Sequence, residues 1–233
     1  MPLTSRNPRA VVLLSGGLDS ARVLYVARKE GYSCYCLSFD YGQRHRRELE
    51  SARRVASGVD APLEVISFSL PWKGSALLDE GASIPKDRTL KEMRGGIPST
   101  YVPARNTIFL SFASSWAEAM GASSIYIGAN ALDFSGYPDC RPEYFEHFNR
   151  MIAKGTKTET DAIQVIAPLV NKTKSEIIQW GTQLGVPYEW TWSCYEGEEV
   201  PCGACDSCLL RAKGFQEAGI EDPLLRTLGI RHA

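Results

Sequence analysis

The sequence carries almost no excess charge of either sign. Its 26 lysine and arginine residues stand against 27 aspartate and glutamate residues, for a net charge of −1. Proteins that bind nucleic acid or membrane surfaces usually carry strongly basic regions, so the balance of charges argues against both classes. No apolar run approaches the roughly 18 residues needed to span a bilayer. The apolar run 10–14 is too short for a signal-peptide core and lacks a following small-residue cleavage site. We therefore expect a cytoplasmic protein without membrane or nucleic-acid partners.

The cysteines lack the pattern of a disulfide scaffold. Their number is odd, seven in 233 residues, and three of them stand at two-residue gaps near the end of the sequence. This pattern is typical of a chain in a reducing compartment that holds metal through thiolates. Disorder is also excluded, because 44% hydrophobic residues offer enough apolar surface to offset the entropy of chain ordering.

Strand-like and helix-like segments alternate along the sequence. Apolar or β-branched runs predict strands over 10–14, 34–39, 62–68, 124–128 and 163–167. Apolar or amphipathic runs predict helices from residue 19 toward Gly31 and over 48–57, 105–120, 143–153 and 174–184. This alternation predicts an α/β fold with a parallel five-stranded sheet flanked by helices, of the Rossmann-like kind.

Two regions depart from the alternation. Residues 69–100 are rich in proline and glycine and predict a long loop, a kind of segment that is usually functional or mobile. From Trp190 onward the composition changes. We therefore divide the chain into a main α/β domain, 1–190, and a C-terminal segment, 191–233, packed on it.

The first candidate site is a phosphate loop that contains no lysine. Residues 15–20, Ser-Gly-Gly-Leu-Asp-Ser, lie between a buried strand and a helix. Paired glycines let backbone N–H groups turn inward around an anion, and the helix N-terminus adds its partial positive charge. Neither the Rossmann G-x-G-x-x-G nor the Walker G-x-x-x-x-G-K-[ST] pattern is present. A plain strand–helix turn is the alternative, but the serines at both ends favour phosphate. Asp19 is placed to shape this loop or to help hold a metal ion.

The second candidate site is a cluster of four cysteines with the spacing C-x7-C-x2-C-x2-C: Cys194, Cys202, Cys205 and Cys208. A C-x2-C pair turns both sulfurs toward one point, and zinc takes four thiolates in a tetrahedron. Four protein ligands leave no open position, so the metal is expected to be structural. A redox pair or an iron–sulfur cluster is the alternative. Of the other cysteines, Cys34 and Cys36 are expected to be small core residues on one face of a strand. Cys140 is expected in a loop, where its thiol is either unreactive or reactive.

Further candidates lie in loops that follow the predicted strands. In a parallel sheet these loops share one edge, so 39–42 is expected beside the phosphate loop. Arg105 opens a helix and suits an anion there, with a solvent-facing arginine beside a helix cap as the alternative. Arg44 and His45 follow closely enough for phosphate contacts, although a basic run of this kind is usually a solvated helix face. A dense group of polar and aromatic residues follows the fourth strand, in 130–141.

The phosphate loop resembles the pyrophosphate loop of the N-type ATP pyrophosphatases, which split ATP between its α and β phosphates and adenylate a carbonyl or carboxyl oxygen. The blocks 39–45, 102–107 and 136–143, with the terminal cysteines, resemble the family of 7-cyano-7-deazaguanine synthases. The likeness covers nearly the whole chain and is poor over 71–97. One departure is Ala21-Arg22, where relatives commonly continue with threonines; we expect it to remove a hydroxyl from the phosphate site.

The resemblance implies an adenine nucleotide alpha-hydrolase-like fold and a C–N ligase of queuosine biosynthesis, a tRNA-modification pathway. The implied reaction joins 7-carboxy-7-deazaguanine and ammonia to give the nitrile at the expense of ATP, with Mg²⁺ and structural Zn²⁺ as cofactors. We also expect a homodimer. The alternatives are a relative that stops at the amide, another pyrophosphatase such as a tRNA thiolase or an amidating synthetase, and a non-catalytic nucleotide-binding module.

The roles assigned on this basis fall into three groups besides the metal ligands. The catalytic residues are Asp19, Ser20 and Arg105. The ATP-binding residues are Leu14, Ser15, Gly16, Gly17, Leu18, Asp19, Ser20, Phe39, Asp40, Tyr41 and Gly42. The substrate-binding residues are Asn130, Asp133, Tyr137, Asp139 and Arg141.

Overall fold

The protein was analysed as a computed structural model that describes residues 7–44, 46–93, 95–132, 136–157, 162–196 and 199–230. Within these residues one parallel sheet of five strands has the order β3-β2-β1-β4-β5. The strands are β1 Arg9–Leu13, β2 Ser33–Asp40, β3 Leu63–Ser67, β4 Ser124–Tyr126 and β5 Gln164–Ile166. The expected α/β fold with a five-stranded parallel sheet is confirmed. β4 ends two residues earlier than its apolar run suggests.

Helices cover both faces of the sheet. They are α1 Leu18–Lys29, α2 Arg47–Ser57, α3 Leu90–Met93, α4 Arg105–Met120, α5 Pro142–Gly155, α6 Lys174–Gln183, α7 Asp206–Ala218 and α8 Pro223–Thr227. On one face Val11 and Ile125 pack with Leu110 of α4. On the other face Val12 packs with Leu24 of α1 and other buried residues of α2 and α6. The central strand β1 is apolar and buried over Ala10–Leu13 because both of its faces are covered. No helix of the described residues is long and apolar enough to cross a membrane.

The strand order reverses direction at β1. Val11 pairs with Tyr35 of β2 on one side and with Ile125 of β4 on the other, both in parallel register. The chain leaves β1 through α1 toward β2, whereas β4 is reached only after α4. Connections that diverge in this way leave a crevice outside the carboxyl ends of the strands, where α/β proteins bind ligands.

The segment 69–100 is packed against the rest of the protein. Leu77 and Ile84 are buried in the core beside α4. The guanidinium of Arg44 donates to the carbonyl oxygen of Ala82 at 2.7 Å, so this arginine fastens the segment to the end of β2. On its other side the N–H of Asp87 donates to the carbonyl oxygen of Ala204 at 2.9 Å. The segment therefore lies between the sheet and the cysteine-rich end of the chain.

The C-terminal segment shares its core with the sheet domain. Trp192 is almost fully buried, and its backbone N–H donates to the carbonyl oxygen of Gly16 at 2.9 Å. In α7, Arg211 donates through Nε and Nη2 to the carboxylate of Asp222 at 2.6 and 2.8 Å, and through Nη1 to Thr191 Oγ1 at 2.8 Å. These bonds tie the beginning and the end of the segment to α7.

We expect Asp222→Ala to lower the free energy of unfolding by about 3–5 kcal/mol, because it leaves a buried guanidinium without its counter-charge. The pair is nearly inaccessible, with side-chain exposures of 6% for Arg211 and 1% for Asp222. Urea denaturation measures the change. The matched control is Glu221→Ala, which removes an exposed pair with Arg226 at 3.9 Å and is expected to cost less than about 1 kcal/mol. Similar small losses in both variants would contradict the assignment.

Candidate functional site

A cavity of about 240 Å³ opens at the carboxyl edge of the sheet, at the point where the strand order reverses. Its walls come from the phosphate loop, the ends of β2 and β4, the start of α4 and the C-terminal segment. Elements far apart in sequence meet here because parallel strands end at the same edge. The position is the one expected for a ligand site in this fold.

The phosphate loop is fixed by close backbone packing. Gly16 has φ +90°, and a Cβ at this position would lie 2.0 Å from the carbonyl oxygen of Glu48 in α2. Only glycine allows both the left-handed backbone and this approach. The hydroxyl of Ser20 donates to the carbonyl oxygen of Gly17 at 3.0 Å and accepts from the N–H of Ser15 at 3.2 Å. The loop is therefore held in one shape by its own serine and by α2.

A partly buried ion pair lies at the end of the loop. Lys174, the first residue of α6, donates through Nζ to Asp19 Oδ2 at 2.7 Å, and both residues line the cavity. The other carboxylate oxygen of Asp19 is buried and has no hydrogen-bond partner among the described residues. Sequence reasoning missed Lys174 because it lies 155 positions from its partner. The only local signal was its place directly after the N-cap residue of a helix.

An aromatic wall faces the phosphate loop across the cavity. The rings of Phe39 and Phe109 stack with centroids 4.0 Å apart, and Tyr41 and Tyr137 line the same space. Nη1 of Arg105 donates to the hydroxyl oxygen of Tyr41 at 3.2 Å. Burial raises the pKa of Tyr41, so its hydroxyl keeps its proton at neutral pH. The wall combines flat apolar faces with neutral hydroxyls and one fixed cation.

The structure brings most of the expected site residues to the cavity and places others away from it. The expected residues that line the cavity are Leu14, Ser15, Gly17, Leu18, Asp19, Ser20, Phe39, Tyr41, Arg105, Asn130 and Tyr137. Those that do not line it are Gly16, Asp40, Gly42, Asp139 and Arg141. Asp133 lies outside the described residues, as does His45.

Asp139 contacts the start of α4 rather than the cavity. Its carboxylate accepts the backbone N–H of Asn106 at 3.0 Å, and the side-chain amide of Asn106 donates back to the carbonyl oxygen of Asp139. The anion at this helix N-terminus is therefore a carboxylate of the protein itself. The neighbouring Cys140 is buried, and burial raises its pKa to about 12. Its thiol stays protonated at neutral pH, which disfavours the reactive-thiol interpretation.

The departure at Ala21-Arg22 lies behind the loop. Both residues are fully buried, and neither lines the cavity. The guanidinium of Arg22 lies 3.0 Å from the ring centroid of Trp180, and burial lowers the pKa of Arg22 to about 10. Ala21 and Arg22 therefore affect the packing of α1 against α6 and not the cavity. The serine hydroxyls on the cavity-facing side of the loop are those of Ser15 and Ser20.

The C-terminal segment supplies a wall of the cavity that the sequence did not reveal. Its lining residues are Trp192, Ser193, Tyr195, Ser207, Leu210 and Arg211. The spacing of the cysteines predicts only a metal site. It does not show which of the residues between the cysteines face the sheet. The segment is therefore part of the candidate site as well as a possible metal carrier.

The four cysteines form a compact cluster. Their sulfur atoms all lie within 4.8 Å of one another, and Cys194, Cys205 and Cys208 are buried. A tetrahedral zinc site with bonds of about 2.3 Å places its sulfurs about 3.8 Å apart, so the arrangement fits such an ion. The N–H of Cys202 donates to the sulfur of Cys194 at 3.3 Å, a contact that stabilises a thiolate. The cluster could hold a metal ion with no position left open.

The fold and the site together define an α/β protein with a glycine-rich loop at its switch point and an appended four-cysteine cluster. A family model described as "Queuosine biosynthesis protein QueC" matches residues 9–219. The chain belongs to this family.

Curated relatives named 7-cyano-7-deazaguanine synthase match over nearly their whole length. The protein from Trichodesmium erythraeum is 56% identical over 93% of this chain and 100% of its own. That from Nostoc sp. is 57% identical over 93% and 96%, and that from Pseudomonas syringae 54% identical over 95% and 97%. Among solved structures, an NMN synthetase from Francisella tularensis covers 97% of this chain and 79% of its own at 17% identity and a TM-score of 0.48.

We expect Cys202→Ser to lose most of the bound metal, because it removes one of four ligands from a closed site. The melting temperature should fall by about 10 °C, as a loss of about 3 kcal/mol produces in a chain of this size. Elemental analysis and thermal denaturation measure the two effects. The control Cys34→Ser changes a buried cysteine of β2 that lies outside the cluster and should keep the wild-type metal content. Equal metal in both variants would refute the ligand assignment.

Proposed function

We propose that this protein converts 7-carboxy-7-deazaguanine, ammonia and ATP into 7-cyano-7-deazaguanine in queuosine biosynthesis. The observation that carries the proposal is the match to synthases at 54–57% identity over 93–95% of this chain. The geometry agrees with it, since one cavity joins a glycine-rich loop suited to phosphates with an aromatic wall suited to a flat base.

The chemistry begins with a carboxylate, which is a poor electrophile at neutral pH. Its oxygen attacks the α-phosphorus of ATP, pyrophosphate leaves, and the acyl adenylate forms. Ammonia attacks the carboxyl carbon, and AMP departs with the first oxygen to give the amide. Adenylation of the amide oxygen and departure of a second AMP, with loss of two protons from nitrogen, give the nitrile. These steps need positioning and charge stabilisation rather than a nucleophilic side chain.

The loop 14–20 would bind the phosphates of ATP through its backbone N–H groups and serine hydroxyls. Phe39 and Tyr41 border the adjoining space and would face the adenosine. Asp19 is the residue best suited to Mg²⁺, because a buried carboxylate oxygen without a hydrogen-bond partner matches the oxygen ligands this ion prefers. When bound, Mg²⁺ would neutralise charge on the pyrophosphate. Arg105 would orient the reacting carboxylate from the opposite wall.

The deazaguanine would lie against the aromatic wall, where Tyr137 offers a ring and a hydroxyl. That hydroxyl is 3.0 Å from the hydroxyl oxygen of Thr100. Asn130 supports the adjoining turn by accepting the N–H of Leu132 at 2.8 Å. Asp139 and Arg141 would act on the base indirectly, through α4 and α5. The proposed role of Asp133 as acceptor for the amino group of the base rests on the family resemblance.

The cysteine cluster would hold a structural Zn²⁺, because four thiolate donors at this spacing match its tetrahedral preference. We propose a homodimer acting in the cytoplasm on the free base and free ammonia. The charge balance of the chain supports a small-molecule substrate over RNA.

The reaction is tested with purified protein, ATP, ammonium and 7-carboxy-7-deazaguanine, followed by mass spectrometry and AMP quantification. We expect the nitrile, with twice as much AMP released per product molecule as for an amide. Accumulation of the amide alone would instead support the truncated reaction. Absence of any ATP-dependent product from zinc-loaded protein would refute both, and would favour a non-catalytic nucleotide-binding role.

We expect Asp19→Ala to abolish AMP formation, with a loss of at least about 10²-fold in rate, because it removes the carboxylate placed at the phosphate loop. The fold should persist, which circular dichroism and thermal denaturation can check. Glu50→Ala, an exposed acidic residue of α2, controls for the loss of one negative charge. Near-normal turnover by Asp19→Ala would exclude the proposed role.

A further inference from the structure

Residues 75–100 form a loop that is closed at its base. The backbone N–H of Ala76 donates to the carbonyl oxygen of Ser99 at 2.8 Å, so the chain returns to its starting point before α4 begins. Between these ends Ile84 is buried in the core together with cysteines of the cluster. The 75–100 loop is therefore one closed unit, and a contact at its middle is transmitted to its base.

The base of the loop borders the cavity. Leu77 lines the cavity directly. At the other end of the loop, Thr100 Oγ1 lies 3.0 Å from the hydroxyl oxygen of Tyr137, a second lining residue, and Thr100 is buried. The position of the loop therefore affects two parts of the cavity surface.

The middle of the loop lies on the cysteine cluster. Lys86 pairs with Cys205 in an antiparallel β-bridge. One residue further on, the backbone N–H of Asp87 donates to the carbonyl oxygen of Ala204 at 2.9 Å. A candidate metal ligand and the residue before it are thus bound to the loop through the backbone.

Two ion pairs strengthen this contact. Lys86 Nζ lies 2.5 Å from Glu196 Oε2. The guanidinium of Arg88 donates to both carboxylate oxygens of Asp206, with Nε 3.0 Å from Oδ1. The Asp206 side chain is only 2% exposed, and that of Arg88 is 23% exposed. Both carboxylates stand within two residues of a cluster cysteine in the sequence.

The charge of the cluster depends on whether it holds a metal ion. Binding a divalent ion releases the thiol protons and leaves an excess of about two negative charges on four thiolates. The carboxylates of Glu196 and Asp206 would add to this excess, and three of the four cysteines are buried, where charges are poorly screened. Lys86 and Arg88 offset the two carboxylates. The attraction between the loop and the cluster is therefore strongest when the metal is bound.

Resting on the Zn²⁺ site of the proposed function, we propose that Lys86 and Arg88 are positioning residues that strengthen Zn²⁺ binding by the cysteine cluster, and that the bound ion in turn holds the 75–100 loop against the cavity. The two effects are one coupling and are reciprocal, because a contact that favours the loaded cluster is itself favoured by loading. Metal occupancy would thus control the wall formed by Leu77 and Tyr137.

The test compares Lys86→Met, Arg88→Met and Arg88→Lys with the control Lys213→Met. Methionine removes the charge and keeps an unbranched side chain, whereas Arg88→Lys keeps the charge. Lys213 is an exposed residue of α7 that pairs with Glu217 at 2.7 Å. It lies seven positions after Asp206, about 10 Å further along the helix axis, so the control removes a cation of the same segment away from the cluster.

Two quantities are measured for each protein. Competition with a chromophoric chelator gives the affinity for Zn²⁺. Hydrogen exchange followed by mass spectrometry gives the opening rate of residues 84–89, in zinc-loaded protein and in protein stripped with a chelator. Neither readout requires the enzyme to be active.

We expect Arg88→Met to weaken Zn²⁺ binding about tenfold or more, as the loss of a residue that supports a metal ligand does. Lys86→Met should weaken it about threefold, because its pair is more exposed. Arg88→Lys and Lys213→Met should stay close to wild type. In zinc-loaded protein Arg88→Met should speed exchange of residues 84–89 about tenfold. In stripped protein the wild-type loop should already exchange fast, and the variants should add little.

The inference is overturned if Lys86→Met and Arg88→Met bind Zn²⁺ as tightly as wild type, or if they speed exchange equally with and without metal. Should Arg88→Met not fold, Lys86→Met decides alone, since its side chain is 47% exposed and its loss leaves the core intact. Wild-type protein that takes up no Zn²⁺ would overturn the metal site and this inference together. A wild-type protein that binds Zn²⁺ but makes no nitrile would refute the proposed reaction and leave both readouts in force.

Discussion

The contact on which the site depends is the backbone packing of the phosphate loop between two other parts of the chain. Gly16 presses against the first turns of α2, and its carbonyl oxygen accepts the N–H of Trp192 from the C-terminal segment. A glycine-rich loop has many conformations in isolation, and ordering it costs backbone entropy. Packing from both sides offsets that entropy cost when the protein folds, so the N–H groups of the loop are already arranged before an anion binds. The same contact also explains why the C-terminal segment lies across the cavity.

Two of the cations that line the cavity are paired with carboxylates. Asp19 meets Lys174, and Arg211 meets Asp222 at the far wall. Arg105 is held against a neutral tyrosine hydroxyl. Because a neutral hydroxyl does not cancel the charge of Arg105, this arginine adds positive potential at one edge of the sheet in a protein whose net charge is −1. A small anionic substrate gains from that local field, whereas an extended polyanion would require a basic surface.

Sequence patterns were sufficient for the sheet, for the helices α1, α2, α4, α5 and α6, for the turn 15–20 and for the cysteine cluster, because each depends on residues close together in the chain. The helix 105–120 was predicted to the residue, since Gly121 takes the left-handed conformation that ends it. The fold of 69–100 could not be predicted. Its buried residues, such as Leu77, are scattered among prolines and glycines, and its order comes from partners such as Arg44. Lys174 was missed for the related reason that its partner is distant in sequence.

The cysteine cluster is linked to the cavity by the residues that stand next to its cysteines in the sequence. Four thiolates closed around one ion would leave no position for a substrate, so a metal held there would not take part in the chemistry directly. Yet Tyr195 and Ser207, each beside a cysteine of the cluster, line the cavity, and Arg88 of the segment 69–100 pairs with Asp206 between two of the cysteines. A structural ion at this point would therefore order one wall of the cavity and the segment that borders it. A metal ion in the cluster would couple stability to the shape of the cavity, because the same short stretch of chain supplies both the four cysteines and part of the cavity surface.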